Sequence, residues 1–452
     1  MMTAAALHDV NGFASSLGNV EKAMREAPLR PVIGRVTRVS GTMVEASLNG
    51  ARLGEVCMLG RRIGSDSARY GEVVGFKDGV ALLSMLGEMD GLASQTPVTP
   101  TGAPLRAPVG HGLLGRIIDG LGRPLDRAVR GDLFVEGWRN VDSAPPDPLS
   151  RAPINQPMPL GIPAIDALMT TGEGQRVGLF GQPGVGKSTL MSAIAKASSA
   201  DVAVIAMVGE RGREVSEFVE DALGPDGLAR SVVIAATSDR SAMERLKAPF
   251  LATSIAEHFR DQGLKVVLLM DSLTRLARAQ REIGLAAGEP PARRAFPPSV
   301  FAMMPRLIER AGNSATGGSI TAFYTILVED DGVGDPVAEE ARALLDGHIV
   351  LSRALAEAGR FPAIDPLASR SRVMNRVVGA DHIANADRVR AMLARYAEIE
   401  LLLKMGEYSH GSDPLADEAI HKREAIQSFL YRTLDAPLDW PTISSELSAL
   451  VA

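Results

Sequence analysis

The clearest chemistry in the sequence lies in Gly181-Gln182-Pro183-Gly184-Val185-Gly186-Lys187-Ser188 and the Thr189 that follows. The glycines let the backbone curl until successive N–H groups face one point, at the start of a helix where the peptide dipoles already favour an anion. Lys187 adds a compact positive charge, and the Ser188 hydroxyl can ligate a divalent cation such as Mg²⁺. An apolar run, Arg176 to Phe180, precedes the loop and a helical run, Thr189 to Ala197, follows it. That context turns a Gly-rich turn into a cradle for the phosphates of a nucleotide such as ATP. Lysine is scarce, 8 of 48 basic residues, so one at this position carries more information than an arginine would.

Two carboxylates stand at the ends of other apolar runs. Asp271 follows Lys265-Val-Val-Leu-Leu-Met270, where a nucleotide-binding sheet places an acid to hold the Mg²⁺ shell. Glu210 follows Val204-Ile-Ala-Met-Val-Gly209, where a carboxylate can polarise an attacking water. Either acid alone would read as a helix cap or a solvated turn; beside a phosphate loop Asp271 reads as a holder of Mg²⁺ and Glu210 as catalytic.

The elements that must position these groups are an alternation of β-like and amphipathic helical runs from about Gly174 to Ser371. The β-like runs are Arg176 to Gly181, Ala203 to Gly209, Ser231 to Ala236, Lys265 to Met270, Ser319 to Val328 and His348 to Leu351. The pattern predicts an α/β fold, a mostly parallel sheet covered by helices with its ligand beyond the carboxyl ends of the strands. Before it, Val32 to Val39, Thr42 to Leu48, Gly54 to Leu59 and Gly71 to Leu83, broken by Asp78-Gly79, predict a small β-barrel. The Pro- and Gly-rich stretch Pro97 to Pro163 reads as a structured crossover. Asp387 to Met405 and Asp417 to Tyr431 predict helices, and Ala14 to Met24 has helical spacing within a loosely attached arm. The expected division is an arm over 1–30, a β-barrel over 31–101, an ATPase domain over 102–376 and a helical domain over 377–452.

Composition narrows the partners. The 452 residues carry 48 Lys+Arg against 54 Asp+Glu, a formal charge of -6 that argues against nucleic acid as the main partner. A single cysteine, Cys57, allows no internal disulfide and no cysteine metal cage, which suits a reducing, cytoplasmic setting. Apolar runs fall far short of the ~20 residues that span a bilayer, so association with a membrane is expected through partners.

Further motifs resemble one family. Gly209-Glu-Arg-Gly-Arg-Glu214, Met270-Asp-Ser-Leu-Thr-Arg275, Ala279-Gln-Arg-Glu-Ile283, Phe296-Pro-Pro-Ser-Val300, Gly318-Ser-Ile-Thr-Ala-Phe-Tyr324 and Leu345-Asp-Gly-His-Ile-Val-Leu-Ser-Arg353 are similar to the ATPases of type III protein export. That family includes injectisome and flagellar members and is related to the catalytic subunit of rotary ATP synthases. The resemblance spans about Pro31 to Leu430 and implies a RecA-like ATPase core between an N-terminal β-barrel and a C-terminal helical domain. It implies a homo-oligomeric ring, usually a hexamer, peripheral at the cytoplasmic face of the inner membrane. It also implies a peripheral stator protein, a central coiled-coil stalk, an export gate and chaperone–substrate complexes as partners.

Residue by residue, the resemblance gives Lys187 and Ser188 to phosphate and Mg²⁺, Glu210 to catalysis, Arg211 to the phosphate region and Asp271 to Mg²⁺. Arg372, within Ala368-Ser-Arg-Ser-Arg-Val-Met374, matches an arginine finger offered to the neighbouring subunit's nucleotide; Arg370 is an added arginine beside it, which leaves open the one that reaches the phosphate. Phe361, before Pro362-Ala-Ile-Asp365, matches an aromatic against adenine, with a core aromatic as the alternative. The loop Ala286 to Ala295 resembles one lining the ring's opening, and Glu329-Asp-Asp-Gly332 departs from the family pattern. Gly288-Glu-Pro-Pro291, Glu407-Tyr408 and Gly411-Ser-Asp-Pro-Leu-Ala-Asp417 favour the injectisome over the flagellar branch. A rotary synthase subunit, a ring-shaped RNA translocase and a non-hydrolysing scaffold are the rival readings.

Overall fold

The computed structural model describes residues 33–60, 68–315, 317–328 and 334–452. The helix expected over Ala14–Met24 and the segment Glu329–Gly332 lie outside the described residues. Contacts divide the chain into two units, residues 1–83 with 89–103, and the remainder.

The first unit is a closed six-stranded barrel. Its strands are β1 (Gly34–Ser40), β2 (Met43–Ser47), β3 (Glu55–Leu59), β4 (Arg69–Lys77), β5 (Val80–Met85) and β6 (Pro97–Pro104), in the order β1-β2-β5-β4-β3-β6. Alternating residues fill the interior, among them Val36, Val44, Leu59, Val73, Leu83 and Val98, all fully buried. Asp78 and Gly79 turn β4 into β5 with both φ angles positive, the geometry a two-residue hairpin requires. β6 comes from the segment expected as crossover. Its three prolines disguise a strand, which among the described residues pairs with β1 at Val98 and Pro97.

The second unit is built on a sheet of β8 (Arg116–Asp119), β10 (Arg176–Gly181), β11 (Val202–Val208), β12 (Ser231–Ala236), β13 (Lys265–Asp271), β15 (Ser319–Leu327), β16 (Gly347–Leu351) and β17 (Ile364–Ser371), with β14 (Gly312–Asn313) paired to β15. The order is β17-β16-β10-β15-β13-β11-β12-β8, parallel from β16 to β8 and antiparallel at β17. Every residue of β11 and β12 is buried, as continuous apolar strands covered on both faces must be. β7 (Arg106–Val109) and β9 (Gly137–Asn140) form a separate two-stranded ribbon.

Both edges of the sheet escape the sequence reading. β8 has four residues inside the Pro- and Gly-rich stretch, and β17 is interrupted by Pro366 and a bulge, so neither shows a sustained apolar run. The C-terminal helices Ala380–Met405, Pro414–Leu430 and Trp440–Val451 begin earlier than predicted or were missed, as the last was. Ile426, Phe429, Leu430, Ile443 and Leu447 share one core with the helix Pro163–Leu168, the helix Lys187–Ala197 and strands β10, β11 and β13. The helical end and the nucleotide-loop end therefore touch through continuous packing, a rigid route between them.

Candidate functional site

β10 ends at Gly181 and the chain turns through Gly184 (φ 82°) and Gly186 (φ 90°) into the helix Lys187–Ala197. These left-handed positions suit glycine, and they aim the loop's N–H groups across the helix start. Lys187 is buried; its Nζ donates to the Gly181 carbonyl at 3.0 Å and to the Gln182 carbonyl. Burial lowers its pKa, against the opposing pull of Asp271 and Glu210. Ser188 and Thr189 are exposed at the mouth of the loop.

β11 and β13 are neighbours in the sheet, so Glu210 and Asp271 leave adjacent strand ends. Asp271 is buried and accepts a hydrogen bond from Thr325 Oγ1 at 2.6 Å. Burial raises its pKa, while the Thr325 bond and the Lys187 charge oppose the rise. Glu210 is also buried, with Arg275 Nη2 at 2.8 Å from its Oε2. Its carboxyl is nevertheless pushed up to about 8: burial comes first, then a hydrogen bond with Glu214 and the Asp271 charge, and together they outweigh Arg275. A cavity of about 390 Å³ opens beside these groups, lined by Pro183, Gly209, Arg245, Arg275, Arg278 and Asp335.

On the far side of the loop a second cavity, about 330 Å³, lies between Val185, Gly186, Thr189 and Phe361. The Phe361 ring stands 3.8 Å from where a Cβ on Gly186 would be, and 49% of the residue is exposed. Phe361 therefore walls a cavity and is not a core aromatic.

The structure thus brings together Lys187, Ser188, Glu210 and Asp271, with Phe361 behind them. Two other expected residues are exposed. Arg211 is largely exposed and reaches Glu214 Oε1 at 3.3 Å. Arg372 is exposed past the end of β17; its backbone N–H donates to Asp346 O at 2.9 Å and its Nη2 to Arg342 O at 3.2 Å. Arg370, also exposed, sits opposite His348 in the β16–β17 ladder.

Sequence reasoning missed Arg275, Thr325 and Glu214. Arg275 lies one helical turn beyond Asp271, a spacing that could have drawn attention. Thr325 reaches Asp271 only because β15 pairs with β13, a neighbourhood no local pattern reveals.

Comparison with known proteins bears on the whole arrangement. Residues 36–102 match the beta-barrel domain and 161–371 the nucleotide-binding domain of the ATP synthase alpha/beta family. Residues 378–449 match the T3SS EscN ATPase C-terminal domain. A type 3 secretion system ATPase of Xanthomonas euvesicatoria is 56% identical, covering 89% of this chain and 90% of its own length. A flagellum-specific ATP synthase of Bacillus subtilis is 48% identical, covering 89% and 92%. The assembled ATPase EscN in complex with its central stalk EscO, from the enteropathogenic E. coli type III secretion system, superposes with TM-score 0.86 at 44% identity, covering 93% of this chain and 100% of that one. With its nucleotide-binding sheet, its barrel and its C-terminal helices all matched, the chain belongs to the type 3 secretion system ATPases of the ATP synthase alpha/beta family.

Proposed function

We propose that the chain energises injectisome protein export by hydrolysing Mg²⁺-ATP at sites shared between neighbouring copies in a ring, most simply a hexamer. The observation that carries the reading is the convergence of Lys187, Glu210 and Asp271 at three strand ends, with Arg372 exposed just past the end of the edge strand β17 of the same sheet.

The triphosphate lies on the loop Gly181–Ser188, its β and γ phosphates neutralised by Lys187, with adenine in the cavity walled by Phe361. Glu210 orients a water in line with the γ-phosphate. Arg275 holds that carboxylate in place from the neighbouring helix. Arg372 of the adjacent copy meets the charge that develops on the transferring group, and Arg211 stands at the rim.

The donor set fits Mg²⁺. Asp271 offers a buried carboxylate that its hydroxyl partner Thr325 orients, and Ser188 is exposed at the start of the helix that follows the loop. Among the described residues no three His, Cys, Asp or Glu side chains form a cage. Such sparse ligation suits a cation held largely by phosphate oxygens and water. When bound, Mg²⁺ neutralises charge shared by the β and γ phosphates.

The division into an arm (1–30), barrel (31–101), ATPase domain (102–376) and helical domain (377–452) belongs to the same proposal. So does a central stalk, which the related EscN binds as EscO. A stator, export gate and chaperone–substrate complexes complete the partners, and they would hold the protein at the inner membrane's cytoplasmic face. No described helix is long and apolar enough to cross a membrane.

Phosphate release measured over a dilution series tests the shared site. Specific activity should rise steeply with protein concentration as copies assemble; constant specific activity through the dissociation range would refute it.

A further inference from the structure

β17 connects two parts of the proposed site. Just before it stands Phe361, the wall of the chain's own nucleotide cavity, and just after it Arg372. Between them the strand does not run straight. Its ladder with β16 pairs Ile364 and Asp365 at one end and Arg370 and Ser371 at the other, and the register shifts between. The residues of that bulge, Pro366–Ser369, lose their strand partners and need others.

Side chains supply them: His348 Nε2 reaches Ala368 O at 3.1 Å, Ser369 Oγ accepts from Val350 N–H at 2.9 Å, and Asp365 and Arg390 supply others. The N–H groups of Leu367 and Ala368 donate to Asp365 Oδ1 at 2.9 and 3.0 Å. The carbonyls of Pro366 and Ser369 accept from the guanidinium of Arg390, at 2.6 and 3.3 Å. Arg390 belongs to the C-terminal helix Ala380–Met405, and its remaining bonds reach Leu168 O, from Nη2 at 2.8 Å and Nε at 3.3 Å. Leu168 ends the short helix Pro163–Leu168 that packs into the common core. One planar fork thus joins three elements. β17 is an edge strand with β16 on one side only; its end is held by that ladder and by Ser371, which bonds Thr170 O and Gln175 Nε2, while the Arg390 fork ties its bulge to the C-terminal helix.

We infer that Arg390 is a positioning residue for the shared catalytic site: by fastening the β17 bulge to the C-terminal helix it fixes where Arg372 stands. The inference rests on the role proposed above for Arg372. Reach matters at this point because an exposed side chain must meet a phosphate on another copy, and a misplacement of about 1 Å can cost about 10²-fold in rate.

The test is a double-mutant cycle on the full-length protein at a concentration where it is assembled. Arg390→Met should lower kcat by about 10- to 100-fold with KM for ATP within about threefold, since the phosphate loop is untouched. Arg390→Lys, reaching fewer carbonyls, should fall between, and Asp365→Ala, which frees the same bulge from its other side, should mimic it. In an Arg372→Ala background, single-turnover hydrolysis should show no further loss on adding Arg390→Met. An equal loss in both backgrounds would overturn the inference and leave Arg390 a structural residue. So would wild-type kcat in a normally melting Arg390→Met protein. Wild-type turnover by Arg372→Ala alone would instead overturn the role of Arg372, a separate and recognisable failure.

Discussion

The ends of the central strands and the edge strand β17 hold the two halves of the proposed machinery, and they are built in opposite ways. Lys187, Glu210 and Asp271 are only 7%, 7% and 5% exposed, and each is engaged by a partner on its own chain. Arg372 is exposed, and among the described residues its guanidinium donates to the Arg342 carbonyl and its backbone N–H to Asp346 O. Groups that must receive a nucleotide are preorganised within one chain, where a low dielectric strengthens their fields. A group that must act on another chain has to stay accessible until the chains meet. The contrast breaks most sharply with Lys187→Ala, which should lose both nucleotide binding, by fluorescent-ATP titration, and phosphate release. Mixing Lys187→Ala with Arg372→Ala protein should then restore turnover, because some interfaces regain both native residues. Two inactive parents that stay inactive when co-assembled would contradict the division.

Arg372→Ala alone comes next in size. It should bind nucleotide normally and lose about 10³- to 10⁵-fold in assembled turnover, the range an arginine finger supplies. Its dilute, unassembled activity should match that of the wild type, a comparison that separates a residue acting across an interface from one acting within its own chain.

Glu210→Gln should cost less, about 10²- to 10⁴-fold, with binding retained. The wild-type carboxyl also sets a pH dependence. Burial and the neighbouring Glu214 and Asp271 push Glu210 up to about 8, so it is mostly protonated at neutral pH and gains its charge as pH rises. kcat/KM should therefore climb through about pH 8 and level off above it. Removing a like charge with Glu214→Gln should move this limb to lower pH; an unmoved limb would assign it to another group.

The same contrast explains what was legible in the sequence. The central strands carry unbroken apolar runs ending in Gly181, Gly209 and Asp271, so both fold and charges could be read from local pattern. β17 buries less and tolerates Pro366 and a bulge, and β8 has only four residues, so neither left a periodic trace. Arg372 and Phe361 were reached by resemblance to a family, not by pattern. Contacts between distant segments, such as Thr325 with Asp271 or Arg390 with Pro366, depend on strand order and helix docking, which local spacing does not encode.

Phe361 should give the smallest effect, and it sharpens the comparison because it belongs to neither extreme. It is half-exposed, yet it faces the chain's own cavity, so it should act in cis without contributing to the core. Stacking of an aromatic ring is worth about 0.5–1.5 kcal/mol, so Phe361→Ala should raise KM for ATP about two- to tenfold. kcat should stay unchanged, because the contact is equal in ground and transition states. Phe361→Tyr keeps the ring face and should leave both constants near wild type. Thermal unfolding should hardly move in either variant, since no packed cavity is created. A kcat loss at saturating ATP would instead place Phe361 with Arg372, as a residue whose effect travels along β17.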